Sequence, residues 1–142
     1  MKVLLPIDGS PCSRRAVEHV IASRARWADA GAMEIHLVNV QPTVSGDVSQ
    51  FVSSTQLAAY HAEESAKALA QARTLLDAAG VKCSVHARTG HAAVEIAALA
   101  DEIQCDQIVM GTQGRGALAE LLVGGTTLRV VHLTKVPVLL IK

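Results

Sequence analysis

The sequence predicts an α/β fold in which five parallel strands are wrapped by helices on both faces. Three observations predict it. Apolar runs alternate with helical patterns in the order β-α-β-α-β-α-β-α-β, which implies crossover units. The first and last runs, Val3-Leu4-Leu5-Pro6-Ile7 and Val136 to Ile141, are continuously apolar, as strands covered on both faces are. Glycine-bearing turns close the first and fourth runs, at strand carboxyl ends, where ligands bind in such sheets.

Pro6 is an awkward member of the first strand, because it cannot donate to a ladder, although a strand end tolerates it. Asp8-Gly9 turns the chain, Ser10 can cap a helix, and Pro11 suits its first position. That helix runs through Val17, Val20, Ile21 and Trp27 to a stop near Gly31. Ile35 to Val40 reads as the second strand. Residues 41–54 are polar and irregular, either a lid or a plain surface loop. A long helix from about Thr55 to Ala79 carries a buried stripe of Leu69, Ala72, Leu76 and Ala79, and Gly80 ends it.

The third strand, Lys82 to Arg88, alternates. Cys83, Val85 and Ala87 face one way, and Ser84, His86 and Arg88 the other, which implies one covered face or an edge position. Gly90 precedes a helix from Ala92 to Ile103. Gln107 to Met110 is the fourth strand. A fourth helical region follows, with Leu118, Leu121 and Leu122 before a second glycine turn and Leu128, Val131 and Leu133 after it. Val136 to Ile141 closes the sheet.

A chain of 142 residues suits one domain and can bury most of its apolar surface without staples. Half of it is hydrophobic, but only Trp27, Tyr60 and Phe51 are aromatic, so the core is aliphatic. Thirteen basic residues balance 13 acidic ones, which argues against a nucleic-acid or anionic-membrane surface. Cys12, Cys83 and Cys105 lack CxxC spacing and fit reduced thiols. Met1-Lys2 leads straight into a strand rather than a signal peptide, and no apolar run approaches the ~20 residues of a membrane span. The expectation is a cytoplasmic protein without a membrane segment.

The chemistry concentrates near the C-terminus. Ile108-Val109-Met110 runs into Gly111-Thr112-Gln113-Gly114, and nine residues later comes Gly124-Gly125-Thr126-Thr127. Two such turns can place two sets of backbone N–H groups around one anion. Several familiar sites are missing. There is no Gly-x4-Gly-Lys-Ser/Thr loop and no Gly-x-Ser-x-Gly elbow. The turn Gly111 to Gly116 follows the fourth strand and does not fit a dinucleotide fingerprint. The third strand ends Arg88-Thr89-Gly90, without the Asp of a receiver domain. Cys83-x2-His86 points to opposite strand faces, and His86 and His91 find no further ligand, so no structural metal is expected. Cys12 near a helix N-terminus is a redox sensor or an inert thiol.

These residues resemble the universal stress protein family, in its single-domain, nucleotide-binding branch. The Gly-x2-Gly-x9-Gly motif stands at Gly111, Gly114 and Gly124. The opening strand with Asp8-Gly9-Ser10, the Gly90 turn and the terminal Val136-Pro137-Val138-Leu139-Leu140-Ile141 also match. The resemblance implies a Rossmann-like three-layer sandwich with strand order 3-2-1-4-5. It implies ATP as ligand, with Mg2+ as an accompanying ion, at the carboxyl ends of strands one and four. Asp8 then meets the ribose or a metal ion, and backbone near Val40 meets adenine. Gly111, Gly114 and Arg115 lie along the phosphates, and Gly124, Gly125 and Thr126 hold the terminal ones. Pro6, Met110 and Gln113 complete the set. It also implies a homodimer through Val136 to Ile141.

One position departs from the pattern. Gly125 stands where Ser or Thr is usual, and a lost hydrogen bond to a charged oxygen costs about 1.5–3 kcal/mol. Thr126 or Thr127 is the candidate replacement. Three functions therefore follow: a dimeric nucleotide-regulated stress protein, a slow ATPase for which no base is evident, or a nucleotide-free chaperone-like scaffold.

Overall fold

The computed structural model describes residues 1–24, 26, 30–114 and 123–142. Trp27, Arg115, Leu118, Leu121 and Leu122 lie outside the described residues. The elements are β1 (Lys2–Pro6), α1 (Pro11–Arg24), a 3-10 turn (Ala30–Ala32), β2 (Glu34–Gln41), the single turn α2 (Gly46–Ser49), α3 (Ser54–Ala78), β3 (Cys83–Thr89), α4 (Ala92–Glu102), β4 (Gln107–Gly111), α5 (Gly125–Leu133) and β5 (Val138–Ile141). The strands form one sheet in the order β3-β2-β1-β4-β5, with every pair parallel. The predicted fold class and strand order therefore hold.

Strand alternation divides the core in two. Val3, Leu5, Ile35, Leu37 and Val109 face α1 and α3, where Val17, Val20, Leu69 and Leu76 meet them. Leu4, Val38, Ile108 and Met110 face α4 and α5, against Ile96, Leu99 and Val130. Local signals set the helix ends. Ser10 Oγ accepts the Ser13 N–H at 3.2 Å, capping α1. Ser53 and Gln56 form a reciprocal capping box at the start of α3. Gly80, at φ +64°, follows its end.

Pro6 is explained by where its missing donor would point. The Ile7 N–H reaches the Val38 carbonyl at 2.7 Å, so the odd residues of β1 donate toward β2 and Pro6 faces β4. There β1 pairs with β4 only at Val3 and Leu4. The two strands have already parted, and no ladder bond is lost.

Some faces differ from the expected ones. In β3, Val85 and Ala87 are exposed while His86 and Arg88 are half-buried. As an edge strand it is covered only partly by α3 on one face and by α4 on the other. Ala79 caps α3 and is exposed rather than buried. In α5 the buried positions are Thr127 and Val130, whereas Leu128, Val131 and Leu133 are 46–56% exposed. The helix touches the sheet through a stripe only two residues long. The last strand begins at Val138 and its four residues are half-buried, because β5 has one neighbour in the sheet. No helix among the described residues is long and apolar enough to cross a membrane.

Candidate functional site

The order β2-β1-β4 places the topological switch between β1 and β4, which diverge after Leu4. A cleft of about 490 Å³ opens at their carboxyl ends. Its walls come from Pro6, Ile7 and Asp8 after β1, from Val38, Val40 and Pro42 along β2, and from Met110, Gly111, Gln113 and Gly114 after β4. Ser13 of α1, Ala92 and Ile96 of α4, and Thr126 and Thr127 of α5 complete it. Of the eleven residues singled out by resemblance, eight line the cleft: Pro6, Asp8, Val40, Met110, Gly111, Gln113, Gly114 and Thr126. Gly124 and Gly125 directly precede Thr126 outside the lining, and Arg115 lies outside the described residues.

Asp8 sits at the centre. Its Oδ1 accepts the Ser10 N–H at 2.9 Å, which fixes the turn after β1. Its Oδ2 lies against Gly114, where an added Cβ would stand 2.6 Å from that oxygen. Glycine at 114 is thus the condition for the carboxylate to occupy the mouth of the cleft.

Gly111 has a different reason to be glycine. A Cβ there would fall 2.6 Å from Cys12 Cβ and 2.8 Å from the Cys12 backbone carbon. The first turn of α1 packs directly on the end of β4, and only a hydrogen side chain leaves room. Arg15 donates to Cys12 Sγ at 2.8 Å and, through Nε, to the Lys142 carbonyl at 2.6 Å.

The second glycine turn is pinned onto the first. The Gly124 N–H donates to the Thr112 carbonyl at 2.7 Å. The buried Thr127 hydroxyl donates to the Gly111 carbonyl at 3.2 Å. Thr127 is therefore engaged in holding α5 against β4, and the cleft-lining hydroxyl available near Gly125 belongs to Thr126. Gly124 is the N-cap of α5 and supplies no side-chain cap. The first N–H groups of a helix have no intrahelical acceptor and carry its positive dipole end. Among the described residues nothing lies within 4 Å of a Cβ built on Gly125.

Asn39 escaped the sequence reading. It is buried in the run Leu37-Val38-Asn39-Val40 and bonds to Ile7, Gln41 and Ser65. A polar residue inside an apolar strand was the available signal. Elsewhere, burial pushes the Cys83 and Cys105 thiols up. His36 Nδ1 and His86 Nε2 lie 3.1 Å apart, away from the cleft. Among the described residues no three His, Cys, Asp or Glu side chains gather as a metal site requires.

Fold and cleft together define a class, the parallel α/β proteins with a cleft at the switch point of the sheet. The comparisons then narrow it. The family model of the universal stress proteins matches residues 1–142. A universal stress protein of Methanocaldococcus jannaschii is 34% identical over 143 residues, covering 99% of this chain and 81% of the relative. The solved structure of hypothetical protein MJ0577 superposes with a TM-score of 0.82 at 28% identity, covering 99% of this chain and 94% of that one. A family member from Arabidopsis thaliana with AMP bound superposes with a TM-score of 0.69 at 19% identity, covering 100% and 91%. The chain belongs to the universal stress protein family.

Proposed function

We propose that this stress protein binds an adenine nucleotide, ATP in the first instance, in the cleft between β1 and β4. The observation that carries the reading is the clasp of Gly124 on Thr112, which sets the N-terminus of α5 beside the glycine turn after β4, on the cleft that Asp8 also lines. A volume of about 490 Å³ falls in the range of small-molecule sites. Solved members of the fold hold AMP, cAMP or dAMP, which supports an adenine nucleotide as the class of ligand.

In this reading Val40, Pro6 and Met110 border the base, and Asp8 Oδ2 accepts from the ribose or contacts an accompanying Mg2+. The phosphates run over Gly111, Gln113 and Gly114 toward the first N–H groups of α5, at Gly125 and Thr126. Arg115 follows Gly114 in sequence and is assigned to the same end. The Thr126 hydroxyl stands in for the one that Gly125 lacks. Among the described lining residues the one carboxylate is Asp8, and this reading gives it to the ribose or Mg2+ rather than to water, so regulation by binding is favoured over hydrolysis.

The same reading includes a homodimer through Val136 to Ile141. Among the described residues the outer edge of β5 has no strand partner, and the exposed Leu128, Val131 and Leu133 add apolar surface on α5. Light scattering at micromolar concentration tests it, and a monomer mass removes it. The alternative, a nucleotide-free scaffold, is favoured by Gly125 alone. Calorimetry with ATP and Mg2+, after carried-over nucleotide is removed, decides between them. Binding near micromolar supports the nucleotide module, and no binding up to millimolar leaves the scaffold.

A further inference from the structure

We infer that Asn39 is a positioning residue that holds the base and ribose end of the cleft in shape. The inference rests on the nucleotide reading and deepens it. Asn39 is 3% exposed, in the middle of a strand that otherwise buries aliphatic side chains. Its Nδ2 donates to the Ile7 carbonyl at 2.7 Å. Its Oδ1 accepts from Ser65 Oγ at 2.8 Å and from Gln41 Nε2 at 2.9 Å. A backbone carbonyl only accepts, so the bond to Ile7 settles which way the amide faces.

The placement of these bonds gives the residue its role. The register of β1 on β2 ends at Pro6 and Val38, with the Ile7 N–H to the Val38 carbonyl beyond it. The Asn39 side chain then donates to the carbonyl of the same residue, so both polar groups of Ile7 are held by β2. Ile7 lies between Pro6 and Asp8, and Asn39 directly precedes Val40. All four of these neighbours line the cleft. Through Ser65 the same amide is anchored to the buried face of α3. One side chain thus ties the end of β1, the end of β2 and a long helix into a fixed wall. The phosphate end, by contrast, is held by Gly124, Thr112, Thr127 and Gly111, none of which touches Asn39.

The test separates the two ends. Asn39→Asp keeps the shape but sets a carboxylate oxygen against the Ile7 carbonyl. Ser65→Ala keeps the Ile7 bond and removes the anchor on α3. Adenosine and inorganic tripolyphosphate are titrated separately into each folded protein by NMR. Asn39→Asp is expected to weaken adenosine by at least about tenfold and to leave tripolyphosphate within about twofold. Ser65→Ala is expected to weaken adenosine by about twofold to fivefold, with tripolyphosphate unmoved. Equal losses of both ligands, or no loss of either, would overturn the assignment. If Asn39→Asp does not fold, unchanged adenosine affinity in Ser65→Ala overturns it. A wild-type protein that binds neither adenosine nor ATP sinks the nucleotide reading itself, whereas wild-type binding with unmoved variants sinks only the role of Asn39.

Discussion

The two ends of the cleft are built from different materials. At the β1–β2 end, buried side chains do the holding: Asn39, Ser65 and Gln41 saturate one another around the Ile7 carbonyl. At the β4–α5 end the backbone is the main material. The Gly124 N–H meets the Thr112 carbonyl, the Thr127 hydroxyl meets that of Gly111, and no described residue comes within 4 Å of a Cβ built on Gly125. A side-chain network is specific and fails when one member changes, because a buried partner is stranded. A backbone site depends on main-chain path, so it is sensitive to any Cβ that alters the path and tolerant of other changes.

The strongest way to break the comparison is Gly114→Val. The new side chain collides with Asp8 Oδ2, so ATP affinity should fall by at least about a hundredfold with little change in melting temperature, since Gly114 is exposed. Calorimetry and a thermal melt on the same sample check both halves. Gly111→Ala should do the reverse. Its methyl meets Cys12 backbone, an overpacking cost of about 1–3 kcal/mol, or roughly 3–10 °C in the melting midpoint. An unaltered midpoint would mean that α1 yields without strain.

Gly125→Ser sharpens the comparison by adding to the backbone end the hydroxyl it lacks. With nothing among the described residues within 4 Å of the new Cβ, ATP should bind about threefold to tenfold more tightly. Weaker binding would show that the bare main chain is already the better cradle. The smallest effect belongs far from the cleft. Burial, then the neighbouring His36 and Arg88, lowers the pKa of His86. The unfolded chain, near 6.5, then takes up the proton more readily than the folded one. Stability is complete above about pH 6.5 and declines as pH falls through the lower folded value. His86→Gln should flatten that decline between about pH 7 and 5, measured by urea midpoints, while leaving ATP affinity alone.

Most of the fold was legible because each strand and helix carried its own periodicity and stop signal. Ser10, Pro11 and Gly80 act within a few residues of where they stand, and the structure uses them as read. What escaped depends on distant partners. Gly111 answers to Cys12, 99 positions away by number (111 − 12), and Gly114 to Asp8. Thr127 looked interchangeable with Thr126 until its hydroxyl was found on Gly111. The faces of β3 and α5 misled because an edge strand and a short peripheral helix have little sheet to cover them. Asn39 was overlooked because a strand pattern ranks a polar residue as a flaw, while its three partners come from three separate segments.

One nine-residue helix faces both ways. The first turn of α5 borders the cleft, and Leu128, Val131 and Leu133 lie exposed along the same helix. If a nucleotide and a second copy of the chain both engage it, their free energies are linked through a shared rigid part. Reciprocity then applies: whatever factor nucleotide changes in the dimer constant, dimerisation must return in nucleotide affinity. A titration of ATP at two protein concentrations, one below and one above the dimer midpoint, would read that factor from either direction.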